Sequence, residues 1–241
     1  MNLRSFLCLR FIDLSHAQLR IGSHNTEGYP FTLVSKMLEV SQLKCVRGER
    51  PLFDGVGFRL ESGKLLFLRG ANGAGKTSLL RILCGLSPAE SGQILWNGQP
   101  IAELGEAYRQ DLFYLGHHNA LQEALTVNEN LSFYATLAGA VPSLAETSHA
   151  LSQLGLRACQ NRLVRHLSQG QKRRVALSRL LLTRAKLWVL DEPFVALDHA
   201  AIELLANLIA GHLSQGGLAV ITSHQSVTIG TQTPQVLELR A

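Results

Sequence analysis

A glycine-rich segment ending in a lysine and a threonine has the residue types needed to bind phosphate. The segment Gly70-Ala71-Asn72-Gly73-Ala74-Gly75-Lys76-Thr77 fits the pattern G-x-x-x-x-G-K-[ST]. Glycines let backbone N–H groups close around a phosphate, and a helix beginning near Lys76 directs its positive end at the same anion. We expect Lys76 to reach the β- and γ-phosphates of a nucleotide and the Thr77 hydroxyl to bind Mg²⁺. Ser78 completes this candidate phosphate site.

Two acidic residues follow an apolar run farther along the chain. Leu187-Trp188-Val189-Leu190 predicts a buried strand, and Asp191 and Glu192 come directly after it. Open α/β sheets bind ligands at the carboxyl ends of their strands, so Asp191 is expected to hold Mg²⁺, directly or through water. Glu192 can polarise the water that attacks a γ-phosphate. The run is a weak signal by itself and becomes specific because a phosphate loop precedes it.

The elements around these residues alternate between strands and helices. Strand patterns cover 38–40, 58–60, 64–68, 94–96, 187–190 and 218–222, and Asn97-Gly98 predicts a tight turn after the fourth of them. Helical patterns follow the phosphate loop, with Leu79, Leu80, Ile82 and Leu83 on one side, and recur over 172–182 and 200–213. This order predicts an α/β fold with a mainly parallel sheet covered on both faces. A separate helical lobe is expected over about 118–165.

The first 36 residues differ from the rest in having no strong strand pattern. We interpret residues 1–36 as an extension, or as the product of a start codon assigned too early, with the folded domain covering 37–241. A real N-terminal helix over about 6–19 is the alternative.

Composition excludes several classes of protein. The chain has 241 residues, is 46% apolar and 17% charged, and contains no apolar run near the ~18 residues that span a membrane. Its four cysteines (Cys8, Cys45, Cys84, Cys159) form no C-x-x-C pair and are expected to be buried thiols in a reducing compartment. The net charge of +5 includes no basic block longer than Lys172-Arg173-Arg174, so we predict no nucleic-acid partner.

The segment Leu167-Ser168-Gln169-Gly170-Gln171, upstream of Asp191, resembles the signature of ATP-binding cassette (ABC) ATPases. Gln169 stands where the family usually has one glycine of a pair. The resemblance implies a P-loop ABC ATPase fold with a parallel core, additional antiparallel strands and a helical subdomain. It also implies that Ser168, Gly170 and Gln171 of one subunit cover ATP held by the phosphate loop of another, so the working unit is a homodimer.

Further positions follow from the same resemblance. Val195-Ala196-Leu197-Asp198 matches the loop that crosses the dimer seam, and His224 matches the histidine that contacts the γ-phosphate. Two positions depart from the family. His117 stands where the lid glutamine is usual, and Arg47 stands near the usual adenine-stacking aromatic, where a guanidinium can also stack.

These departures narrow the resemblance to a subfamily. Tyr114-Leu115-Gly116-His117, the run 171–179 and the run 187–194 are similar to the haem-exporter ATPase of bacterial c-type cytochrome maturation. The resemblance covers 37 to about 228. It implies ATP and Mg²⁺ as cofactors, an integral membrane transporter subunit as partner, indirect contact with haem-handling maturation proteins, and a peripheral position on the cytoplasmic face of the inner membrane.

The sequence is compatible with two other functions: an ATPase subunit of another small ABC exporter, and a non-transport ABC ATPase of DNA repair or translation. The second is disfavoured because the chain has one cassette and no zinc or coiled-coil insertion between Thr77 and Gln169. Direct haem ligation by the histidines is not expected. Phe133 and Tyr134 are predicted mainly as core, although an exposed aromatic beside the lid could anchor a coupling helix. The lid surface over 119–123 is the expected docking face.

Overall fold

Two β-sheets organise the part of the chain that the computed structural model describes, which is residues 36–225, 227–231 and 233–239. An antiparallel sheet of order β2-β1-β4-β5 contains β1 (Met37–Arg47), β2 (Arg50–Glu61), β4 (Ser91–Trp96) and β5 (Gln99–Pro100). A parallel sheet of order β6-β7-β8-β3-β9 contains β3 (Leu65–Gly70), β6 (Leu112–Leu115), β7 (Leu187–Asp191), β8 (Leu218–Thr222) and β9 (Gln235–Leu239). The predicted α/β class, with a parallel core and additional antiparallel strands, is confirmed.

Helices connect these strands. The α-helices are α1 (Lys76–Leu83), α2 (Ile101–Leu104), α3 (Glu106–Asp111), α4 (Val127–Leu137), α5 (Leu144–Gln153), α6 (Gln169–Ser178) and α7 (His199–Ser214). Short 3₁₀ turns occupy Arg157–Cys159, Val164–His166 and Arg179–Leu181. The helix predicted over 172–182 thus begins three residues earlier and finishes as a 3₁₀ turn.

The parallel sheet is covered on both faces because its central strands are apolar on both sides. All five residues of β7 and all five of β8 are buried. Alternate residues point to different cores: Leu187 and Val189 pack with α1, whereas Trp188 and Leu190 pack with residues of α6 and α7. This arrangement explains the unbroken apolar runs that the sequence shows at both strands.

Strand register brings the candidate site residues to one edge of the parallel sheet. Leu68 of β3 and Asp191 of β7 both pair with Thr222 of β8. Because the three strands run in the same direction, the phosphate loop after β3 and the acidic pair at the end of β7 leave the sheet at the same end, on either side of β8.

The helical lobe holds α4 and α5, and each begins with a capping box. Thr126 and Ser143 accept hydrogen bonds from the backbone N–H groups of Glu129 and Glu146, whose carboxylates accept in return from the N-cap residues. The prediction that Phe133 belongs to the core is wrong. Its side chain is 43% exposed, because α4 turns toward the interior the face that carries Leu131 and Ala135.

The start of the described chain bears on the predicted extension. β1 begins at Met37, and the Lys36 ammonium lies 2.9 Å from Asp111 Oδ2. Residues 1–35 lie outside the described part, and so does the alternative helix over 6–19. Cys8 also lies outside it, whereas Cys45, Cys84 and Cys159 are buried free thiols, as predicted.

None of the described helices is both long and apolar enough to cross a membrane.

Candidate functional site

The phosphate loop runs from the end of β3 into α1. Gly70 has φ of 144°, and a Cβ there would lie 2.6 Å from the carbonyl oxygen of Leu239 on the neighbouring strand β9, so the position admits no side chain. Gly75 caps α1, which begins at Lys76. The Lys76 ammonium donates to the carbonyl oxygens of Gly70 (2.8 Å) and Ala71 (3.1 Å), so its charge lies over the loop.

Asp191 joins the phosphate loop to the two central strands. Its carboxylate is 3% exposed and accepts hydrogen bonds from the hydroxyls of Thr77 (Oδ2, 2.9 Å) and Thr222 (Oδ1, 2.7 Å). Buried carboxylates are normally balanced by a cation. No side-chain ammonium, guanidinium or imidazolium within the described residues forms an ion pair with this one. The carboxylate and the Thr77 hydroxyl are the hard oxygen ligands that Mg²⁺ prefers, so the residues present fit that ion.

Glu192 adopts a backbone conformation that is uncommon for a residue with a side chain. Its φ is 48°, in the left-handed region, which costs roughly 1–3 kcal/mol and persists only where the surroundings enforce it. The Glu192 N–H donates to Thr222 Oγ1 at 2.8 Å. Thr222 therefore holds Asp191 with its hydroxyl hydrogen and Glu192 with its oxygen.

The Glu192 carboxylate faces His224. Its Oε2 accepts from the His224 backbone N–H at 3.3 Å, and its Oε1 lies 3.4 Å from His224 Nε2. Within the described chain Oε1 is buried and lacks a hydrogen-bond partner of good geometry. A buried carboxylate oxygen with free lone pairs can accept a hydrogen bond from a water molecule.

A cavity of about 210 Å³ lies between the phosphate loop and the end of β8. Lys76 and His224 both line it, together with Arg69, Gly70, Ser223 and Gln225. The structure thus brings together the sequence-predicted Lys76, Thr77, Asp191, Glu192 and His224. It adds Thr222, which is absent from the predicted set; its only sequence signal is a polar residue at the end of a buried strand.

Ser168, Gly170 and Gln171 form a second group at the start of α6. Ser168 Oγ accepts from the Gln171 N–H at 3.2 Å, and Gln171 Oε1 accepts from the Ser168 N–H at 3.0 Å, which makes another capping box. A Cβ on Gly170 would lie 3.1 Å from the carbonyl oxygen of Ala196, so glycine lets the 195–198 loop approach the helix. Asp198 caps α7 by accepting from the Ala201 N–H at 2.9 Å. In the described chain no hydrogen bond joins this group to the phosphate loop.

Arg47 and His117 also lie apart from the cavity lining. Arg47 is exposed at the end of β1 and donates to Ser87 Oγ at 3.4 Å. His117 is exposed after β6, with its ring edge-on to His118 and the ring centroids 5.6 Å apart. The roles predicted for these two residues stay predictions.

Comparisons with known proteins agree on one family. The family model described as ABC transporter matches residues 53–195. The cytochrome c biogenesis ATP-binding export protein CcmA of Albidiferax ferrireducens is 61% identical over 204 residues, which cover 85% of this chain and 97% of that protein. The protein of the same name from Dechloromonas aromatica is 54% identical and covers 84% of this chain and 100% of its own. The one from Escherichia coli strain K12 is 45% identical, with 80% and 91% covered.

Solved structures show the same fold. An ABC transporter ATP-binding protein from Pyrococcus furiosus superposes with a TM-score of 0.73 at 27% identity, covering 84% of this chain and 97% of that one. An ATP-binding subunit of an ABC transporter superposes with a TM-score of 0.69 at 30% identity, covering 78% and 80%.

The bridging role of Thr222 can be tested by removing its hydroxyl without changing its shape. We expect Thr222→Val to lower the free energy of unfolding by about 1–3 kcal/mol, because it leaves Asp191 Oδ1 and the Glu192 N–H unsatisfied in a buried place. Thr222→Ser keeps the hydroxyl and is the matched control. Chemical denaturation gives both values, and equal stability of the two variants would contradict the bridge.

Proposed function

The chain belongs to the ABC transporter family as one of its ATPase subunits, and we propose that it hydrolyses ATP at the cavity between Lys76 and His224 to drive an export step of c-type cytochrome biogenesis. The observation that carries the hydrolytic role is the Glu192 carboxylate, whose Oε1 is buried, lies 3.4 Å from His224 Nε2 and has no hydrogen-bond partner among the residues that the structure describes. Nucleotide hydrolysis needs an acceptor that orients water, and this oxygen is placed to be one.

The phosphate groups of ATP would be held by the loop 70–77. The N–H groups at the start of α1 and the Lys76 ammonium supply positive charge there, and the ammonium exchanges its two loop carbonyls for phosphate oxygens. Ser78, in the first turn of α1, belongs to the same proposed set.

Thr77 and Asp191 would hold Mg²⁺. The ion, when bound, neutralises charge on the β- and γ-phosphates. Asp191 brings the negative charge that keeps the ion at this edge of the sheet, and Thr222 keeps its carboxylate oriented through Oδ1.

His224 and Glu192 would act at the γ-phosphate. Glu192 Oε1 accepts a hydrogen bond from the attacking water molecule, and this bond raises the electron density on the water oxygen. The His224 imidazole lines the cavity and can donate to a γ-phosphate oxygen while its backbone N–H keeps Glu192 Oε2 in place.

Two substitutions separate binding from hydrolysis. Lys76→Ala should weaken ATP binding about tenfold or more, since a charge-assisted phosphate contact is lost. Glu192→Gln should bind ATP normally but hydrolyse it at least about a hundredfold more slowly, because the amide cannot accept the proton. Nucleotide titration and phosphate release measure the two effects. Wild-type turnover by Glu192→Gln would remove Glu192 from its proposed role.

We further propose that two copies of the chain enclose ATP. The Ser168 hydroxyl accepts within its capping box but keeps its own hydrogen, so it can still donate to a phosphate of the other subunit. The group of Ser168, Gly170 and Gln171 lies at the positive end of a ten-residue helix, and in the described part of the chain it makes no hydrogen bond to its own phosphate loop. Asp198 would lie at the seam, and Arg47 and His117 would contact the nucleotide there.

ATP should therefore drive association. We expect sedimentation of Glu192→Gln with ATP and Mg²⁺ to show a dimer. Ser168→Glu should remain monomeric, because its carboxylate would face the phosphates of the ATP bound to the other subunit. Ser143→Glu introduces the same charge at the N-cap of α5 and should leave the dimer intact. A Glu192→Gln protein that stays monomeric at saturating ATP, also with its membrane partner present, would refute the enclosed dimer.

The export role rests on the relatives named as cytochrome c biogenesis export proteins. The match to this chain covers nearly the whole length of those relatives. Haem, or a haem-loaded chaperone awaiting release, is the cargo we propose, with an integral membrane subunit as direct partner at the cytoplasmic face of the bacterial inner membrane. An apolar groove of about 250 Å³ supports such a partner. Residues of β6, α4 and the turn after α6 line it, including Tyr114, Leu131, Leu137 and Leu182.

Docking at this groove can be tested on its exposed rim. The 119–123 surface expected from the sequence is a poor target, because Asn119 and Glu123 bind Arg173 and Lys172 of the chain itself. Leu137 lines the groove and is 68% exposed. We expect Leu137→Glu to abolish membrane association and cytochrome c maturation while ATP binding is kept.

Val236→Glu is the matched control for this experiment, since Val236 is 52% exposed on β9, at the opposite edge of the parallel sheet. Cell fractionation measures membrane association, and haem staining measures cytochrome c maturation. Normal cytochrome c in cells lacking the protein would overturn the export role, whereas the ATPase role would stand.

A further inference from the structure

Arg173, in the basic run of α6, is buried beneath the hydrolytic site. It is 4% exposed, and its guanidinium makes five hydrogen bonds. Nε donates to Pro193 O (3.3 Å), and Nη2 donates to Asp191 O (3.1 Å) and Glu192 O (2.7 Å). Nη1 donates to Gly116 O (3.4 Å) and Asn119 Oδ1 (3.0 Å).

These bonds join three segments that are distant in the sequence. One is α6 itself, whose first residues form the capping box of Ser168. The second is the turn 191–193 that carries Glu192, and the third is the loop 116–119 that contains His117. A guanidinium has five N–H groups in a fixed plane, so it can serve all three segments at once.

The backbone of Glu192 is held on both sides. Its N–H donates to Thr222 Oγ1, and its carbonyl oxygen accepts from Arg173. The left-handed φ of this residue needs surroundings that enforce it, and these two bonds are such a constraint. The direction of the Glu192 carboxylate follows from that backbone, so Arg173 acts on the carboxylate without touching it.

The charge of Arg173 is also placed for this role. Burial lowers the pKa of the guanidinium, and the neighbouring charges of Asp191 and Glu192 oppose that change. The flanking cations of α6 have different partners: Lys172 pairs with Glu123 at 2.6 Å, and Arg174 donates to Leu154 O at 3.4 Å. Of the three, Arg173 is the one that contacts the turn bearing Glu192.

We propose that Arg173 is a positioning residue for ATP hydrolysis: it holds Glu192 in its working conformation and ties the 116–119 loop and the start of α6 to the same turn. This inference rests on the proposed ATPase function and adds a residue to it. Because each chain's α6 would face the partner's ATP, the bonds of Arg173 also give that helix a direct connection to the hydrolytic residue of its own site.

The test compares kcat and KM for ATP in the full-length protein carrying Arg173→Met, Arg173→Lys, Asn119→Ala or Arg174→Met. We expect kcat of Arg173→Met to fall about tenfold or more, since small misplacements of a catalytic group cost up to about a hundredfold in rate. KM should change little, because Arg173 does not line the nucleotide cavity. Arg174→Met is the matched control from the same helix and should keep the wild-type kcat.

Arg173→Lys distinguishes positioning from charge alone. An ammonium restores the positive charge but cannot reach all three segments, so kcat should stay low. Asn119→Ala removes a single acceptor of the guanidinium and should lower kcat by a smaller factor. If Arg173→Met does not fold, the Lys and Asn119 variants decide the question by the same criterion.

Wild-type kcat in Arg173→Met, or full rescue of kcat by Arg173→Lys, would overturn the proposal. A loss of thermal stability with unchanged kcat per folded molecule would make Arg173 merely structural and would also overturn it. Failure of the ATPase function itself looks different, because the wild-type protein and Arg174→Met would then hydrolyse no ATP.

Discussion

The buried carboxylate of Asp191 is the constraint on which the site depends. It stands at the end of an all-buried strand, and it is held by one hydroxyl from the phosphate-loop helix and one from the next strand. A buried charge is costly unless it is satisfied, so Thr77 and Thr222 must stay where they are. The loop 70–77, β7 and β8 are thereby fixed relative to one another, and the cavity between Lys76 and His224 keeps its shape.

A second constraint lies one residue farther on. Glu192 turns away from the strand in a left-handed conformation, which leaves the carbonyl oxygens of 191–193 pointing into the interior. Such oxygens need donors, and the guanidinium of Arg173 supplies them. The strained turn at Glu192 and the buried guanidinium of Arg173 thus depend on each other, because the turn supplies the acceptors and the guanidinium supplies the donors. The effect of this arrangement is to direct the Glu192 carboxylate toward His224, which lines the cavity.

The sequence predicts the parts of this site that have local patterns. The phosphate loop, the acidic pair after β7 and the alternation of strands and helices are all local, and the structure places them as expected. β6 and β9 escape prediction because they are short edge strands, and β9 has one buried residue. In the sequence, Arg173 cannot be distinguished from the other cations of its basic run, because its five partners lie 18 to 57 residues away in the chain. The sequence wrongly predicts Phe133 as a core residue, because the exposure of this side chain depends on which face of α4 packs against the interior.

Asn119 connects the two halves of the proposed mechanism. Its side-chain oxygen accepts from Arg173, which holds the Glu192 turn, and its backbone oxygen accepts from Arg179 at 3.5 Å. Arg179 lines the groove proposed for the membrane partner and stacks over the ring of Tyr134 at 4.1 Å. A contiguous set of contacts therefore runs from that groove through the 116–119 loop to the hydrolytic carboxylate. A partner helix that displaces Tyr134 or Arg179 would change the position of Asn119, and with it one of the five bonds that fix Arg173. Hydrolysis of ATP and occupancy of the groove would then be coupled through this set of hydrogen bonds and the stacking of Arg179 on Tyr134, without direct contact between the partner helix and ATP.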